Sequence, residues 1–496
     1  MQVSENDKDV RRVVQKKFNS RCIYLSKDSL TFLTDFVKSL DHDTREKVLG
    51  KLIEEAGKNS QSQSESLDVT KLKEMLSRGT KSREIDKDIL FKLENAFDWK
   101  RIVLDKAAKK LTPLMDENFR SWEKSTTFDC LRQRFEMVRQ LLIENSGCVS
   151  SIDSLFTHRD EEVRILGMLS RGAGDSLIAE DLSGTVLLDM SDVKYNPGLY
   201  FEGGIYVFLG NYEAGRLYVE NISLPVLKNI APSQMMSAHL NIPKGVGPNV
   251  KDQIVLMSDV HLDNPRVMKA LHKLFTGFAH IQPSVFILCG RFLSTQLAHG
   301  YTEAYSTAFR HLANLLASFS SDYAGHTDFI LVPSIEDPLP MTTLPHFSLP
   351  PFVREFFKNM PNVHFPTNPC KLTFKGQTIV ICRDDIVEKL CRSSIYVPEK
   401  VEDIPKYFCD TVWSQTHFSP LPLHFNAVIP QYDYLFHLWP TPDVLVIADK
   451  YKSFAKQDSD HSRITINPGS FPLSKFEFQV YYPATKAVEE STLEVD

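Results

Sequence analysis

Asp259 and His261 stand two positions apart in the run IVLMSDVHLD, an oxygen donor and a nitrogen donor of the kinds that hard or borderline divalent metals take. Further on, the run VFILCGRFLS ends in Gly290 and Arg291. Both runs are short, apolar and cut off by polar residues, as buried parallel strands are where they leave the carboxyl edge of a sheet. Between them, Asn264 can cap a helix that starts at Pro265 and carries Val267, Leu271, Leu274, Phe275 and Phe278 at helical spacing. Strand, helix and strand predict a right-handed crossover, and ligands in such folds lie beyond the strand ends. Three later runs, DFILVPSIEDP, QTIVICRDD and DVLVIADKY, have the same form.

At these residues the chain resembles the calcineurin-like phosphoesterases. That family holds two metals with Asp-x-His after the first strand and a bridging Asp after a Gly at the second. An Asn-His pair, a lone His and a His-x-His complete the set. By that resemblance Arg291 replaces the bridging Asp, and Ile335 and Glu336 fill the Asn-His positions. His417, in SQTHFSPLPL, takes the place of the lone His, while Asp449 and Tyr451 replace the last pair. Asn467 to Ser470 form the NPGS turn that commonly follows that pair. A bridging carboxylate binds both metals and screens their repulsion, whereas Arg291 is a permanent cation, placed to pair with Asp259. The resemblance therefore implies a four-layer α/β sandwich with a degenerate site: no catalytic residue, no metal and no cofactor. His239, His272, His280, His299 and His311 have no ligand-like partners in sequence.

A chain of 496 residues with 42% hydrophobic residues can hold two to four domains with real cores. Its net charge of −6 argues against coating nucleic acid through the overall field. Eight cysteines make no Cys-x-x-Cys pair, which disfavours a zinc ribbon. The polar start MQVSENDKDVRR has no signal-peptide core, and no apolar run approaches membrane-spanning length, so the expectation is an intracellular protein.

Four segments follow. Residues 1–97 read as a helical domain with its tether: Ser26 caps a helix with Leu30, Leu33, Phe36, Val37 and Leu40 on one face, and a second helix runs to Gly57. The polar loop NSQSQSES precedes two more helical pieces, VTKLKEMLSR and KDILFKLENAF. Residues 98–150 read as a linker with an isolated extended piece, a small basic cluster (Lys106, Lys109, Lys110) and one amphipathic docking helix, FDCLRQRFEMVRQLLIENSG. Residues 151–249 switch to alternating strands with turns at AGD, LSG and EAG, the pattern of a Greek-key barrel of OB-fold type. Tyr200, Phe201, Tyr206, Phe208, Tyr212 and Tyr218 could stack bases there or fill the barrel core, and the scarcity of Arg and Lys around them favours the core. Residues 250–496 form the phosphoesterase-like domain. Within it, the run from His417 to Pro442 is rich in aromatics and prolines, with Tyr432, Tyr434 and Trp439 as candidate anchors for a partner.

The order of parts, together with AEDLSGTVLLD, FILCGRF, VPSIEDP, TNPCKL, YDYLFHLWPTPDVLVIADKY and INPGSFP, resembles the B-subunit family of eukaryotic replicative DNA polymerases, the epsilon branch above all. The resemblance is dense from about residue 160 to 490. It implies a nuclear, non-catalytic accessory subunit that binds the C-terminal region of the epsilon catalytic chain. It also implies contact with GINS in the replicative CMG helicase through the N-terminal domain, small histone-fold subunits in the same complex, and at most weak or indirect contact with DNA. The rival readings are an active metal-dependent phosphoesterase or nuclease, opposed by Arg291 and Tyr451, and a single-stranded-DNA-binding barrel, opposed by the acidic balance.

Overall fold

A computed structural model describes residues 7–20, 25–38, 49, 53, 90–105, 110–113, 127–146, 149–157, 162–227, 247–295, 300–337, 342–396, 398, 400–423, 425–458 and 461–495. The chain divides into two compact units, Met1–Lys87 and Asp88–Asp496. In the first, helices span Asp7–Asn19 and Lys27–Lys38. Ser26 caps the second helix: its Oγ accepts from the Ser29 N–H at 3.1 Å. Val14, Phe18, Leu30, Leu33 and Val37 are buried. The side chains of Phe36 and Leu40, the NSQSQSES loop, the VTKLKEMLSR helix and most of the helix expected to end at Gly57 lie outside the described residues.

The helix expected in KDILFKLENAF is corrected by the structure. Residues Phe91–Asn95 form strand β1, paired antiparallel with Cys370–Phe374 in register Phe91↔Phe374. Phe91 and Leu93 turn toward the core between the sheets, while Lys92 and Glu94 form an ion pair at 3.1 Å. So short a segment satisfies helical and alternating spacing equally, and the open edge of a sheet decided between them. The extended piece after Asp98 is a two-stranded hairpin of β2 (Ile102–Asp105) and β3 (Lys110–Pro113). Lys106 and Lys109 lie outside the described residues.

The barrel is built from β4 (Glu162–Arg171), β5 (Leu177–Glu180), β6 (Thr185–Asp189), β7 (Lys194–Tyr195), β8 (Ile205–Glu213) and β9 (Arg216–Ser223), in the order β6-β5-β4-β8-β9-β7. A parallel pairing of β6 with β9 closes it. Alternate residues of β4, β8 and β9 fill the interior with Tyr200, and Tyr206 and Phe208 are fully buried there, whereas Phe201 is fully buried in a neighbouring core with Leu199, Leu390 and Val412. Of the six aromatics weighed for base stacking, Tyr218 is exposed and Tyr212 half-buried. The helix Thr127–Ser146 lays Phe135, Val138 and Leu142 on Leu166, Met168, Ile205 and Val207 of the barrel wall.

The rest of the unit has two six-stranded sheets. One has the order β13 (Val363–His364), β12 (Asp328–Val332), β11 (Val285–Cys289), β10 (Ile254–Met257), β19 (Glu477–Tyr482), β20 (Ala487–Thr492). The other runs β1, β14 (Cys370–Phe374), β15 (Gln377–Arg383), β16 (Val444–Ala448), β18 (Ile464–Asn467), β17 (Phe454–Gln457). The sheets face each other across a core of β-branched and aliphatic residues. Helices Pro265–Phe278 and Tyr301–Ser318 cover the outer face of the first, and Ile386–Ser393 and Ile404–Ser414 that of the second. β10 and β11 are parallel, and Asn264 caps the helix between them by accepting from the Arg266 N–H at 3.0 Å. The strands that read as unbroken apolar runs are those buried on both faces.

Most of the run from His417 to Pro442 turns inward. Phe418, Leu421, Val428, Leu435, Phe436 and Leu438 are buried in the outer core of the second sheet, and Tyr432 and Tyr434 are half-buried against it. Among the described residues no helix is long and apolar enough to cross a membrane.

The β8–β9 pairing is irregular between Leu209 and Gly210, and a Cβ on Gly210 would lie 2.0 Å from the carbonyl oxygen of Tyr218. Gly210→Ala should therefore force the two strands apart and destabilise the chain by about 1–3 kcal/mol. The measurement is the urea midpoint by circular dichroism; an unchanged midpoint would show that the barrel yields there.

Candidate functional site at the carboxyl ends of the strands

Five strand ends converge: Asp259 after β10, Gly290 and Arg291 after β11, Ser334 to Asp337 after β12, Arg383 to Asp385 at the end of β15, and Asp449 to Tyr451 after β16. Asp259 is buried and adopts a left-handed backbone with φ 57°, a conformation non-glycine residues hold only under local constraint. The constraint is Arg383, whose guanidinium donates from Nη2 to Asp259 Oδ1 at 2.6 Å and from Nη1 to Asp385 Oδ1 at 2.8 Å. Its Nε donates to the Gly290 carbonyl at 2.7 Å, and Nη1 also reaches the Ala448 carbonyl at 3.1 Å. One buried side chain thus ties together strand ends from both sheets.

Burial raises the Asp259 carboxyl, but the Arg383 charge together with hydrogen bonds from Ser470 and Arg383 offsets this and holds it below its ordinary range. Beside it, His261 is buried and its Nε2 has no hydrogen-bond partner among the described residues. Burial pushes its pKa down, so the ring is neutral.

The structure revises the expected pairing of Arg291. Its guanidinium turns outward to Glu336, with Nη1 2.9 Å from Oε2, and only its backbone N–H approaches Asp259 Oδ1, at 3.4 Å. A short side chain at a strand end can point into the site, whereas the long arginine stem lets its charge escape toward water. Ile335 and Tyr451 pack against the outer core of the second sheet. Asp449 is buried with both oxygens in use: Oδ2 accepts from the Val387 N–H at 2.8 Å, in the first turn of helix Ile386–Ser393, and Oδ1 from the Tyr451 N–H at 2.7 Å. Burial, reinforced by the Asp385 charge, pushes its pKa up to about 7.

His417 stands apart from this group. It belongs to a second buried cluster with Asp433 and His437, whose ligand-type atoms all lie within 4.8 Å of one another. Arg134, from the helix Thr127–Ser146, grips both oxygens of Asp433, with Nη2 2.5 Å from Oδ1 and Nε 3.1 Å from Oδ2. The Ser419 N–H donates to His417 Nδ1 at 3.1 Å, so in the neutral ring Nε2 carries the proton and faces Asp433 at 3.5 Å. A protonated Nε2 beside a guanidinium does not suit a metal.

Two residues central to the strand-end site carried no motif signal. Arg383 lies in CRDD, which reads as an ordinary strand end. Asp337 lies beside the expected Ile335 and Glu336, and accepts from the Phe292 N–H and the Ser334 N–H at 2.8 Å each and from the Tyr305 hydroxyl. A Cβ on Gly290 would fall 2.0 Å from its Oδ2, so this buried carboxylate is what requires glycine there. Burial raises Asp337 to about 6. In this arrangement Asp259 and His261 stand side by side, and the Asp259 carboxylate is held by a fixed cation, Arg383.

Arg383→Met would leave Asp259 and Asp385 buried without their counter-charge, with an expected loss of about 3–5 kcal/mol in urea unfolding. Arg383→Lys should recover only part of it, because an ammonium cannot serve four acceptors in fork geometry. A loss below about 1 kcal/mol, typical of a surface pair, would overturn this placement. In the second cluster, burial and the Arg134 charge depress His417 from 6.5 to about 3. In that window the unfolded chain takes up a proton that the folded chain refuses, so stability should fall as pH falls from 6.5 toward 3. His417→Asn should flatten that slope, read as urea midpoints at a series of pH values; parallel profiles would contradict it.

Residues 254–456 match the B-subunit family of DNA polymerases alpha and epsilon, and residues 124–226 match the OB-fold domain of the DNA polymerase epsilon subunit 2-like family. The second match takes in the helix Thr127–Ser146. The chain is 30% identical to DNA polymerase epsilon subunit 2 of Mus musculus over 516 residues, covering 96% of this chain and 97% of the mouse chain. It is 30% identical to the probable DNA polymerase epsilon subunit 2 of Caenorhabditis elegans, covering 100% and 96% of the two chains. DNA polymerase epsilon subunit 2 of Drosophila melanogaster is 32% identical over 362 residues, with 68% and 66% covered. A closed barrel followed by paired sheets, with 30% identity running almost end to end, places this chain in the DNA polymerase epsilon subunit 2 family, the B subunits of that polymerase.

Proposed function

We propose that the chain is a non-catalytic accessory subunit of DNA polymerase epsilon, a scaffold whose phosphoesterase-like site has been converted into a structural ion-pair network. The observation that carries this reading is the Arg383 guanidinium 2.6 Å from Asp259, a cation fixed where a metal-dependent phosphoesterase needs its metals. Relatives named as subunits of the polymerase support the accessory role. On this reading the chain works in the nucleus and binds the C-terminal region of the epsilon catalytic chain. It reaches GINS and the CMG helicase through its N-terminal unit and shares the complex with small histone-fold subunits.

The joint between barrel and sheets supports a rigid scaffold. The Leu199 N–H donates to Thr411 Oγ1 at 2.9 Å, and the Gln415 amide bonds both backbone groups of Ile205, at 2.8 and 2.7 Å. Arg134 clamps the barrel's helix onto Asp433. These groups are buried, so separating the two parts would strand them without partners. Direct DNA binding by the barrel has less support, since Tyr200, Tyr206 and Phe208 are barrel core and Phe201 is buried in the outer core of the second sheet.

Two measurements on the full chain test the proposal. The chain should co-purify with the C-terminal region of an epsilon catalytic chain in the absence of DNA and added metal. It should also show no manganese-dependent nuclease or phosphatase turnover. Turnover lost in Asp259→Asn, or an association that needs single-stranded DNA, would sink the scaffold reading.

A further inference from the structure

The helices Pro265–Phe278 and Tyr301–Ser318 follow the parallel strands β10 and β11, so they run in the same direction over the outer face of the first sheet. A groove of about 980 Å³ lies between them. Met268, Lys269 and His272 share one face of the first helix and line one wall. Glu303, Ala304, Ala308, His311 and Leu315 share one face of the second and line the other. From Gly300 to Leu315 the groove extends roughly 22 Å at about 1.5 Å per residue, or about four helical turns. Its floor is apolar: Met268, Ala304 and Leu315 are half-buried and Ala308 is buried. Alanines one turn apart leave a shallow channel in which the side-chain ridge of another helix can settle. A long groove with an apolar floor and a polar rim takes an amphipathic helix by its apolar stripe.

The rim is polarised along its length. Asp263 and Glu303 stand at the end where both helices begin. Lys269 follows about one turn on, and His272 and His311 lie further along the helices. All five side chains are exposed, and those of Lys269, Glu303 and His311 form no hydrogen bond or ion pair among the described residues. An imidazole offers at least one N–H donor whether neutral or charged, so the histidine end suits carboxylates in either state. Helices favour acidic side chains in the first turn and basic ones in the last. A docked helix with that bias matches both ends of the rim only when it runs opposite to the two walls. Its dipole then also opposes theirs, which is the attractive arrangement.

We propose that this groove docks an amphipathic helix of a partner protein, antiparallel to both walls. Its apolar stripe lies on Met268, Ala304 and Leu315, its acidic first turn faces His272 and His311, and its basic last turn faces Asp263 and Glu303. The inference rests on the groove and does not depend on the accessory-subunit reading.

The test uses the full chain and a fluorescent helical peptide with a leucine stripe, glutamates in its first turn and lysines in its last. Anisotropy should show binding, at least tenfold tighter than for a peptide of the same composition with the stripe scrambled. Ala304→Arg, which fills the floor, should weaken binding at least tenfold at an unchanged urea midpoint. Glu303→Lys should weaken it several-fold, and a peptide with glutamates in place of the last-turn lysines should restore the affinity for that variant. Such a rescue is a gain that misfolding cannot imitate. A benzophenone in the last turn should photo-crosslink beside Glu303. Equal binding of the striped and scrambled peptides would overturn the proposal, and so would a charge swap without rescue or a last-turn cross-link beside His311. A chain that sediments as a dimer, and as a monomer after Ala304→Arg, would overturn it by showing that a second copy fills the groove.

Discussion

The buried contact of Arg383 with Asp259 is the constraint on which the second unit turns. Five strand ends from two sheets point their carbonyl-rich edges at one place, and Asp259 and Asp385 add two negative charges there. Low dielectric makes such a cluster untenable without a counter-charge. In a metallophosphoesterase two metal ions would supply it; here one guanidinium does. It satisfies two carboxylates and two backbone carbonyls. Arginine suits the place because it stays charged at any physiological pH and presents its donors in a fixed plane.

With the counter-charge built into the chain, neighbouring positions do other work. Asp449 caps a helix by accepting backbone N–H groups, and Ile335 and Tyr451 join an apolar core. Asp337 organises the turn after β12 and dictates glycine at position 290. Arg291 is free to leave the site for Glu336. The same device recurs at the junction with the barrel, where Arg134 neutralises Asp433 beneath two histidines. Both pairs bind elements far apart in the chain, and both are dry enough for the loss of one partner to cost far more than a surface ion pair would.

Local pattern was legible without coordinates. The Ser26 and Asn264 caps, the crossover helix after Pro265, the barrel strands with their turns and the apolar strands β10, β11, β12, β15 and β16 all follow from period and punctuation, which act over a few residues. That positions 291, 335, 449 and 451 follow the ends of apolar strands was legible too, because each apolar run marks where its strand stops. Where local pattern fitted two answers, as in Phe91–Asn95, the helical choice failed, since only the open edge beside β14 could decide it.

What the residues determined by themselves is the barrel, the strand-end frame and the family. What only the tertiary structure decided is which charge meets which. Arg383 and Asp259 are separated by 124 positions and Arg134 and Asp433 by 299. No spacing rule connects residues so far apart, whereas helix caps and strand alternation are settled by neighbours. Pairing of buried charges depends on which ends the folded sheets bring together and on which side chains are too deeply enclosed to reach water. The short side chain of Asp259 is held inside; the long one of Arg291 escapes.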